Sequence, residues 1–497
     1  MSKKEEYLQE EKFTHEGLVE LLNKIVGKTL GEVDKKHVFD KTKSNPKITG
    51  IAGDVVEQSV LGYDANSKKR PDILVDGKAV EVKTTGICFE DKDNKNSQFV
   101  AKEPMSITAV SVNNIVDEEF YDSHFWHKIS NLLLIYYLYD SNIRVMAKDY
   151  ANFVLKGFDF FKFGEEDEKI LKNDWELVRN FIRNIQQEFP INPEQQYYRL
   201  SSELRDKLMY IDTAPKWPNP PRFRLKRTVV TTIVQKYFNK LKYINLPETI
   251  ESFKEFDMKL HEITNKYKGK NVKQLIDIFG IKINNPKKLN KAIAEKIIVN
   301  MFGGSTSKLN KIALFSNAGI NAKTISLTSK GQRTEDTKLF PIDFSELEDQ
   351  DINFEDSFVY DYFMNHQTLF IIFEEKDEKQ EFIDNIFIGF KRFIYDIDFI
   401  NSEVKKTWED LRKLVIEKKI NENRIIMKNG KYKVNTKGTY ATEINFPKSK
   451  NHIVFVRGGG KDSNTKSFYY QGIWMYRQYM WIKGKYLVEK LKDKEII

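Results

Sequence analysis

A short stretch of alternating residues around a two-residue turn constrains this chain more than any other feature of its sequence. Residues 73–75 (ILV) and 78–83 (KAVEVK) both have the composition and alternation of β-strands. Asp76-Gly77 separates them, and this dipeptide is typical of a two-residue hairpin turn. The pattern predicts a β-hairpin in which one face carries polar side chains.

The polar face of this hairpin carries the residues of a hydrolytic metal site. Alternation places Glu81 and Lys83 on the same face of the second strand, and Asp72 stands just before the first strand. A tight hairpin brings the two carboxylates together, with the Val80 carbonyl nearby. Such oxygen ligands suit Mg²⁺. A lysine beside them can orient a water or offset charge on a phosphate.

The spacing Pro-Asp, eight residues, then Glu-x-Lys is the signature of the PD-(D/E)xK nuclease fold, and it runs from Asp72 to Lys83. Phosphodiester hydrolysis needs a metal that polarises the phosphoryl oxygen and a cation that stabilises developing charge. Highly charged proteins also contain this spacing by chance. The alternative is therefore an exposed hairpin with alternating charges.

Two segments outside the hairpin support the nuclease interpretation. Residues 51–62 (IAGDVVEQSVLG) have apolar residues at helical spacing with Glu57 among them, so a carboxylate on a helix is expected to complete the metal shell. Downstream, Lys128 stands just before residues 132–139, an apolar stretch typical of a buried strand. Both side chains are candidates for the same site.

The bulk properties agree with a DNA-binding protein of two domains. A chain of 497 residues is too long for one ordinary core. The net charge of +9 suits a polyanionic partner, and no apolar stretch is long enough for a membrane span. The single cysteine, Cys88, excludes an internal disulfide, and the N-terminus has no apolar signal region. We therefore expect a cytoplasmic protein that binds double-stranded DNA and no membrane.

The motifs resemble the MutH-type endonucleases, and especially the Sau-type restriction enzymes that contain two MutH-like halves. In chain order the similar segments are VGKTLGEV (26–33), GDVVEQSVLG (53–62), RPD (70–72), VEVK (80–83) and WHKISNLLLIYY (126–137). The resemblance implies Mg²⁺ ligands, an accessory glutamate and two lysines, which fall in that order on Asp72 and Glu81, on Glu57, and on Lys83 and Lys128. The interval between the two acidic ligands is two residues longer than in the family, which leaves Asp76 as an alternative second ligand.

A basic segment after the hairpin region is similar to the family's DNA-reading arm. Residues 221–238 (PRFRLKRTVVTTIVQKYF) would present Arg222, Arg224 and Lys226 to the duplex. Arginine can bond bidentately to guanine, but a basic face toward phosphates explains the same residues. The family's arginine position holds Pro221 here, so which side chain reads the base stays open.

The second half of the sequence repeats the first in weakened form. Residues 293–304, 321–331, 356–373 and 406–415 echo residues 51–62, 77–86, 122–137 and 173–182, and residues 479–491 echo the segment around Phe223. The catalytic positions are replaced: Val299 stands for Glu57, Ser326 for Glu81 and Thr328 for Lys83, and Met364 stands for Lys128 if a two-residue shift is allowed. Basic residues persist, including Arg457, which we predict to bind DNA. The alternative is a chance likeness of short α/β segments.

These patterns together predict two α/β domains, each a mixed sheet flanked by helices. Residues 1–245 form a catalytic PD-(D/E)xK domain and residues 246–497 a degenerate copy. The resemblance implies a type II restriction endonuclease acting at 5′-GATC-3′. Because one chain carries one set of catalytic residues and a palindrome has two strands, we expect either DNA-induced dimerisation or two successive cuts by one chain. The degenerate domain is then expected to bind another site as an effector, the alternative being that it only adds non-specific affinity. The alternatives are a strand-nicking enzyme of the mismatch-repair kind and a catalytically silent sequence-specific DNA-binding protein.

Overall fold

A computed structural model describes residues 7–64, 70–91, 95–141, 145–214, 218–283, 292–328, 335–376, 380–435, 438–460, 466–492 and 497. It shows the mixed α/β architecture that the sequence predicts. No helix in these ranges is long and apolar enough to cross a lipid bilayer.

The strands of the described chain are, in order, β1 Lys12–Phe13, β2 Ile73–Val75, β3 Lys78–Phe89, β4 Phe99–Ala101, β5 Met105–Ala109, β6 Leu132–Leu138, β7 Val154–Phe161, β8 Ile211–Asp212, β9 Arg222–Leu225, β10 Ile320–Thr328, β11 Thr337–Pro341, β12 Gln367–Glu375, β13 Ile386–Phe393, β14 Glu422–Arg424, β15 Thr442–Ile444, β16 Val454–Gly458, β17 Phe468–Tyr470, β18 Ile473–Met475 and β19 Gln478–Ile482.

The α-helices are α1 His15–Asn23, α2 Leu30–Val33, α3 Lys41–Ser44, α4 Ile51–Val55, α5 His124–Ile129, α6 Glu165–Glu188, α7 Arg199–Glu203, α8 Arg227–Phe238, α9 Phe253–Tyr267, α10 Val272–Ile278, α11 Ala292–Met301, α12 Ala313–Asn317, α13 Phe344–Glu348, α14 Phe358–Asn365, α15 Ile397–Phe399, α16 Lys405–Ile416 and α17 Gly484–Lys492. π-Helical turns occupy Val56–Leu61 and Ile400–Val404.

The chain divides into two compact units. Unit 1 comprises the described residues within Met1–Ser141, Val145–Glu262 and Glu295–Asn321, and unit 2 those within Ile263–Ala294 and Ala322–Ile497. The division at residue 245 follows from the sequence repeat and stays a prediction.

Unit 1 is built on a mixed sheet with the strand order β1-β2-β3-β6-β7, and β4 pairs with β3. The pairs β1–β2 and β3–β6 are parallel, and the others are antiparallel. Strand β6 is buried on both faces, which explains its almost continuous apolar sequence. One face of the sheet packs on the N-terminal helices, through a core that includes Leu18, Leu30, Val55, Val82 and Leu133.

Unit 2 contains the sheets β10-β12-β13 and β11-β19-β16 and two separate hairpins, β14–β15 and β17–β18. Its core is rich in aromatic residues and includes Phe344, Phe363, Trp408 and Met480. Each such side chain contributes about 1.5–3 kcal/mol to folding through the burial of apolar surface.

One helix in each unit begins with the same kind of serine cap. Ser123 caps α5 and Ser357 caps α14: each hydroxyl accepts the N–H three residues later at 3.1 Å and donates to the carbonyl three residues earlier at 2.6 Å. Counted from these caps, Lys128 corresponds to Tyr362. The sequence pairing of Lys128 with Met364 was therefore displaced by two residues, although an amine is missing at either position.

Each unit also has a helix that carries a tryptophan with an arginine over its ring. The Arg179 guanidinium lies 5.1 Å from the ring of Trp175 on α6, and that of Arg412 lies 4.7 Å from the ring of Trp408 on α16. Each indole meets a phenylalanine of the turn before the capped helix, at ring distances of 5.8 and 5.6 Å. Helices α6 and α16 thus pack in the same way on the turn that precedes the capped helix of their own unit.

Unit 1 also contains a small sheet with the strand order β5-β9-β8, and its register around β9 matches the register around β19 in the sheet β11-β19-β16 of unit 2. In unit 1, Asp212 on β8 pairs with Arg224 on β9; in unit 2, Phe455 on β16 pairs with Trp481 on β19. A helix begins two residues after each central strand. The ion-paired Asp212 and Arg224 of unit 1 therefore occupy the same register positions as Phe455 and Trp481 of unit 2.

Candidate active site

The predicted hairpin is present and forms the frame of the site. β2 and β3 are antiparallel with Val75 opposite Lys78, which leaves Asp76 and Gly77 as a two-residue turn. Both have positive φ, 46° and 72°, the backbone conformation of a type I′ turn. Both oxygens of Asp76 accept the His15 backbone N–H at 3.3 Å. Asp76 is thus engaged at the start of α1, and this observation favours Asp72 as the second acidic residue of the site.

Asp72 is fixed against the neighbouring strand by a backbone hydrogen bond. Its Oδ2 accepts the N–H of Val82 at 2.9 Å, one residue beyond Glu81. The carboxylate therefore lies beside β3, next to the position from which the Glu81 side chain leaves the strand. That Asp72 and Glu81 together bind a metal stays a prediction.

Glu81 forms the centre of a buried charge cluster. Its side chain is 1% exposed, and Lys83 Nζ lies 2.6 Å from Oε1. Lys128 Nζ reaches both carboxylate oxygens, at 2.9 and 3.0 Å. Two cations on one buried anion compensate the loss of water around it. The cluster joins residues of β3 and α5 that are 47 positions apart in sequence.

The parallel pairing of β3 with β6 explains why Lys128 arrives there. Glu81 lies opposite Leu132, and its backbone N–H donates to the carbonyl of Asn131 at 3.0 Å. α5 ends at Ile129, immediately before this contact. A lysine in the last turn of that helix is consequently held above Glu81.

Glu57 lies in the π-helical turn Val56–Leu61 and belongs to the same electrostatic cluster. Burial, and next the repulsion from Asp72, raise the pKa of Glu57 to about 7. Burial, and next the repulsion from Glu81, raise the pKa of Asp72 to about 6. Three carboxylates therefore crowd a region in which two lysines offset only part of their charge.

This donor set fits a divalent cation. Hard oxygen donors from Asp72, Glu81 and the Val80 carbonyl are the ligand types that Mg²⁺ prefers. Burial, and next the repulsion between carboxylates, raise the pKa values of Asp72 and Glu57, so a cation bound there would favour their ionised forms. The described residues contain no group of three or more His, Cys, Asp or Glu side chains already at metal-holding distance. The fit therefore depends on the two carboxylates together with backbone and water oxygens.

The structure adds an N-terminal clamp that the sequence patterns did not indicate. The Arg70 guanidinium lies 2.5 Å from the Glu11 carboxylate and 3.7 Å from the centre of the Tyr7 ring. The Tyr7 hydroxyl donates to the carbonyl of Pro71 at 3.1 Å. This network fixes the positions of Arg70 and Pro71, which precede Asp72. The partners are about 60 positions apart, and no local periodicity relates them.

Tyr63 is a second residue that the sequence patterns missed. Its side chain is 2% exposed, and its hydroxyl has no hydrogen-bond partner among the described residues. Burial, followed by repulsion from Asp72 and Glu57, raises the pKa of this hydroxyl. A neutral phenol therefore borders the carboxylate cluster.

The predicted DNA-reading arm coincides with β9 and the start of α8. Arg222 is exposed, whereas the Arg224 guanidinium forms two bonds with Asp212, at 2.7 and 3.0 Å. Lys226 is 1% exposed, and its Nζ donates to the carbonyl of Leu208 at 2.5 Å. The prediction that Lys226 contacts DNA is therefore wrong, because its ammonium group is buried and hydrogen-bonded inside unit 1.

Arg457 lies on β16 of unit 2 and is 57% exposed. Its guanidinium lies 3.6 Å from Asp336 and 5.2 Å from the centre of the Trp481 ring. It lines a cavity of about 300 Å³ together with Glu422, Lys466 and other residues of unit 2. Its predicted role in DNA binding stays a prediction.

Neutralising Asp72 should stabilise the metal-free protein, because one buried negative charge is then removed from the carboxylate cluster. Because the pKa of Asp72 is raised, its ionisation costs more in the folded than in the unfolded chain. This cost is absent below about pH 4, the ordinary range of the group, and complete above pH 6. We expect Asp72→Asn to stabilise the metal-free protein at pH 8 by about 1–2 kcal/mol, with the gain vanishing near about pH 4. Thermal unfolding in EDTA across this range measures it.

The matched control for this measurement is Asp76→Asn, at the hairpin turn and outside the cluster. It should show no gain in stability that grows between about pH 4 and pH 6. A lower unfolding temperature for Asp72→Asn than for the wild type at pH 8, without metal, would contradict the crowding of carboxylates.

The region that contains this site is similar in sequence to nuclease domains of the MutH type. Residues 61–174, which include Asp72, Glu81, Lys83 and Lys128, match the family model described as DNA mismatch repair enzyme MutH. The chain is also 24% identical over 513 aligned positions to the type II restriction enzyme Sau3AI of Staphylococcus aureus, across 94% of this chain and 96% of that protein. The resemblance to the MutH and Sau-type restriction endonucleases is confirmed, and both findings support a nuclease.

Proposed function

We propose that this protein is a type II restriction endonuclease that hydrolyses double-stranded DNA at 5′-GATC-3′ with Mg²⁺ as its cofactor. The observation that carries the proposal is the buried Glu81 with Lys83 and Lys128 on its carboxylate and Asp72 fixed on the adjacent strand. A purely structural ion cluster has no need of an uncompensated second and third carboxylate. The target follows from the resemblance to Sau-type enzymes.

The residues of the cluster divide the work of hydrolysis among them. Asp72, Glu81 and the Val80 carbonyl would hold Mg²⁺, and Glu57 completes the acidic shell. When bound, the cation supplies Lewis-acid polarisation of the scissile phosphodiester. Lys83, 21% exposed, is the cation of the cluster most open to substrate, where it stabilises charge developing on the phosphate. Lys128, 12% exposed, holds both oxygens of Glu81 in place.

Contacts with the duplex come from the arm around β9. Arg222 is exposed and available to a phosphate or a guanine edge, and Arg224 becomes available if its ion pair with Asp212 exchanges for DNA. Lys226 has no place in this surface. Arg457 supplies a corresponding cation on unit 2.

The second half acts, in this proposal, as a DNA-binding copy without catalysis. The paired caps at Ser123 and Ser357 and the matching sheet registers support a common origin for the two halves. Tyr362 at the position of Lys128 supports the loss of the active site. A palindromic target has two strands, whereas one chain carries one set of catalytic residues, so two chains meet on the cleaved site.

The proposal predicts how cleavage depends on the number of target sites. We expect the full-length protein with Mg²⁺ to convert a supercoiled plasmid to linear DNA, and to cut a two-site plasmid faster than a one-site plasmid. A short duplex that carries the site in an uncleavable form should stimulate the one-site reaction, because coupling between two DNA sites is reciprocal. Gel analysis of the products over time measures both effects.

Products other than linear DNA would indicate one of the alternative functions. Accumulation of nicked circles would indicate a strand-nicking enzyme of the mismatch-repair kind, and an intact plasmid with retained DNA binding would indicate a silent DNA-binding protein. Equal rates on both plasmids, without stimulation by the short duplex, would remove the effector role from unit 2. Sequencing the ends of the linear product tests 5′-GATC-3′.

A further inference from the structure

Unit 2 carries an arm, residues 424–441, that begins at the last residue of β14 and leads to β15; the structure describes residues 424–435 and 438–441 of it. The two strands are joined antiparallel with Arg424 opposite Thr442. The arm follows α16, at the point in the chain where the corresponding helix of unit 1, α6, is followed by the short helix α7. It therefore distinguishes unit 2 from the otherwise similar order of elements in unit 1.

The 424–441 arm is a small three-segment ribbon that pairs with itself. The Lys433 N–H donates to the carbonyl of Ile425, and the Ala441 N–H donates to the carbonyl of Lys433, both at 2.8 Å. The Met427 N–H closes a tight turn onto the carbonyl of Lys431 at 2.8 Å. Apart from Asn435, all described residues from Ile426 to Tyr440 are exposed.

The charge of this arm has one sign. The sequence from 424 to 441 contains no Asp or Glu, and its basic residues are Arg424, Lys428, Lys431, Lys433 and Lys437. Within the described residues no carboxylate forms an ion pair with Lys428, Lys431 or Lys433. By contrast, Lys419, Lys485 and Lys490 of the same unit lie against Glu417, Glu489 and Asp396 at 2.8, 3.9 and 3.0 Å.

Apolar side chains stand among these cations, fully outside the core. Ile426 is 64% exposed, Val434 53% and Tyr440 48%. The Arg424 guanidinium lies 4.5 Å from the centre of the Tyr440 ring, which in turn lies 5.6 Å from the Tyr432 ring. Exposed apolar side chains lie beside Lys428, Lys431 and Lys433 on this surface. Such a combination indicates a partner that offers both negative charge and apolar surface.

Duplex DNA is the partner that this combination fits. Its phosphates border grooves lined by base edges, and the major groove admits a two-stranded β-ribbon. Apolar side chains can then contact the bases while lysines on either edge of the ribbon meet phosphates.

We propose that the 424–441 arm is a DNA-binding element of unit 2 that lies in a groove of the duplex and contacts phosphates through Lys428, Lys431 and Lys433. It rests on the proposed function in one respect, that the chain binds duplex DNA. It goes beyond that function by assigning a large part of the non-specific affinity to a segment that unit 1 does not have. These lysines contact the phosphates of the DNA backbone, so their contribution to affinity does not depend on the base sequence.

The test compares two triple variants of the full-length protein with equal changes of charge. Lys428→Ala/Lys431→Ala/Lys433→Ala removes the cations of the arm, and Lys419→Ala/Lys485→Ala/Lys490→Ala removes exposed lysines that already have carboxylate partners. Binding to a duplex labelled with a fluorophore is measured by anisotropy in Ca²⁺ over a range of KCl concentrations. Each phosphate contact contributes about 0.9 to the slope of log affinity against log salt. The arm variant should therefore lose about 2.7 from this slope, and the control variant much less.

A second variant tests the arm by removing it, so that the result does not depend on individual lysine substitutions. Replacing residues 425–441 by Asn-Gly joins β14 to β15 through a two-residue turn that suits their register. It should reproduce the reduced slope on duplexes with and without 5′-GATC-3′.

Three outcomes would overturn the assignment. An unchanged slope for both arm variants would remove the arm from DNA binding while leaving the proposed function intact. Loss of binding to vesicles of anionic phospholipid, with the DNA slope unchanged, would assign the arm to a membrane surface. Absence of DNA binding by the wild type would overturn the proposed function and the arm together.

Discussion

Glu81→Ala protein should cut plasmid DNA at least about 10³-fold more slowly than the wild type, because it loses the carboxylate on which the whole cluster converges. Glu81 is the partner of both lysines and, with Asp72, the acidic half of the proposed metal site. A metal that stabilises transition-state charge contributes several kcal/mol, and each 1.4 kcal/mol corresponds to about tenfold in rate. The rates of plasmid cleavage at saturating Mg²⁺ measure the effect.

DNA affinity separates a catalytic role from a structural one. Binding of a target duplex in Ca²⁺, whose looser coordination does not support hydrolysis, should remain within about threefold of the wild type. Because removing Glu81 leaves two lysines close together, Glu81→Gln provides a variant of the same shape, and thermal unfolding reports whether either protein folds. Glu20→Ala removes an exposed carboxylate paired with Lys24 and serves as the control. Robust cutting by both Glu81 variants would refute the assignment.

Local signals were sufficient to predict the hairpin of the site. The Asp76-Gly77 turn and the alternation of residues 78–83 specify a register in which only one face can be apolar. The structure confirms the turn, and it shows Lys83 on the same face as Glu81, at 2.6 Å. The pairing of Asp72 with the Val82 N–H follows from the same register.

Long-range contacts were beyond what periodicity can indicate. Lys128 was a candidate because it precedes an apolar strand and matches a family lysine, but neither signal predicted its contact with Glu81, which depends on β6 lying parallel to β3. The clamp of Arg70 on Glu11 and Tyr7 had no signal of any kind in the sequence. These residues meet because β1 pairs with β2, and strand pairing between distant segments is decided by the whole core.

Lys226 shows how a family resemblance gave a wrong assignment. The similarity of residues 221–238 to the family's DNA-reading arm predicted that Arg222, Arg224 and Lys226 all face DNA. The strand ends at Leu225 and α8 begins at Arg227, so Lys226 lies at the junction between them and not on the strand. The side chain of Lys226 turns inward, where it donates to Leu208, and its charge acts on the buried Asp174.

Lys83→Ala should slow cleavage by about 10²-fold at saturating Mg²⁺, the loss expected when one stabiliser of transition-state charge is removed. Lys83 is the more exposed of the two lysines on Glu81, so it is the one that can also meet a phosphate. DNA affinity in Ca²⁺ should change little, because one phosphate contact among several is lost. Single-turnover rates on a target duplex give the value, and Lys24→Ala, at an exposed lysine paired with Glu20, provides the control.

The dependence of the rate on Mg²⁺ concentration decides how Lys83 acts. If Lys83 stabilises charge on the phosphate, its absence lowers the rate at every Mg²⁺ concentration and the deficit persists at saturation. If it only holds Glu81 in place, the metal site is weakened and added Mg²⁺ restores the rate. Lys128 reaches both oxygens of Glu81 and is less exposed, so Lys128→Ala should show the second behaviour. Full recovery of Lys83→Ala at high Mg²⁺, or a deficit in Lys128→Ala that no Mg²⁺ concentration relieves, would reverse the two assignments.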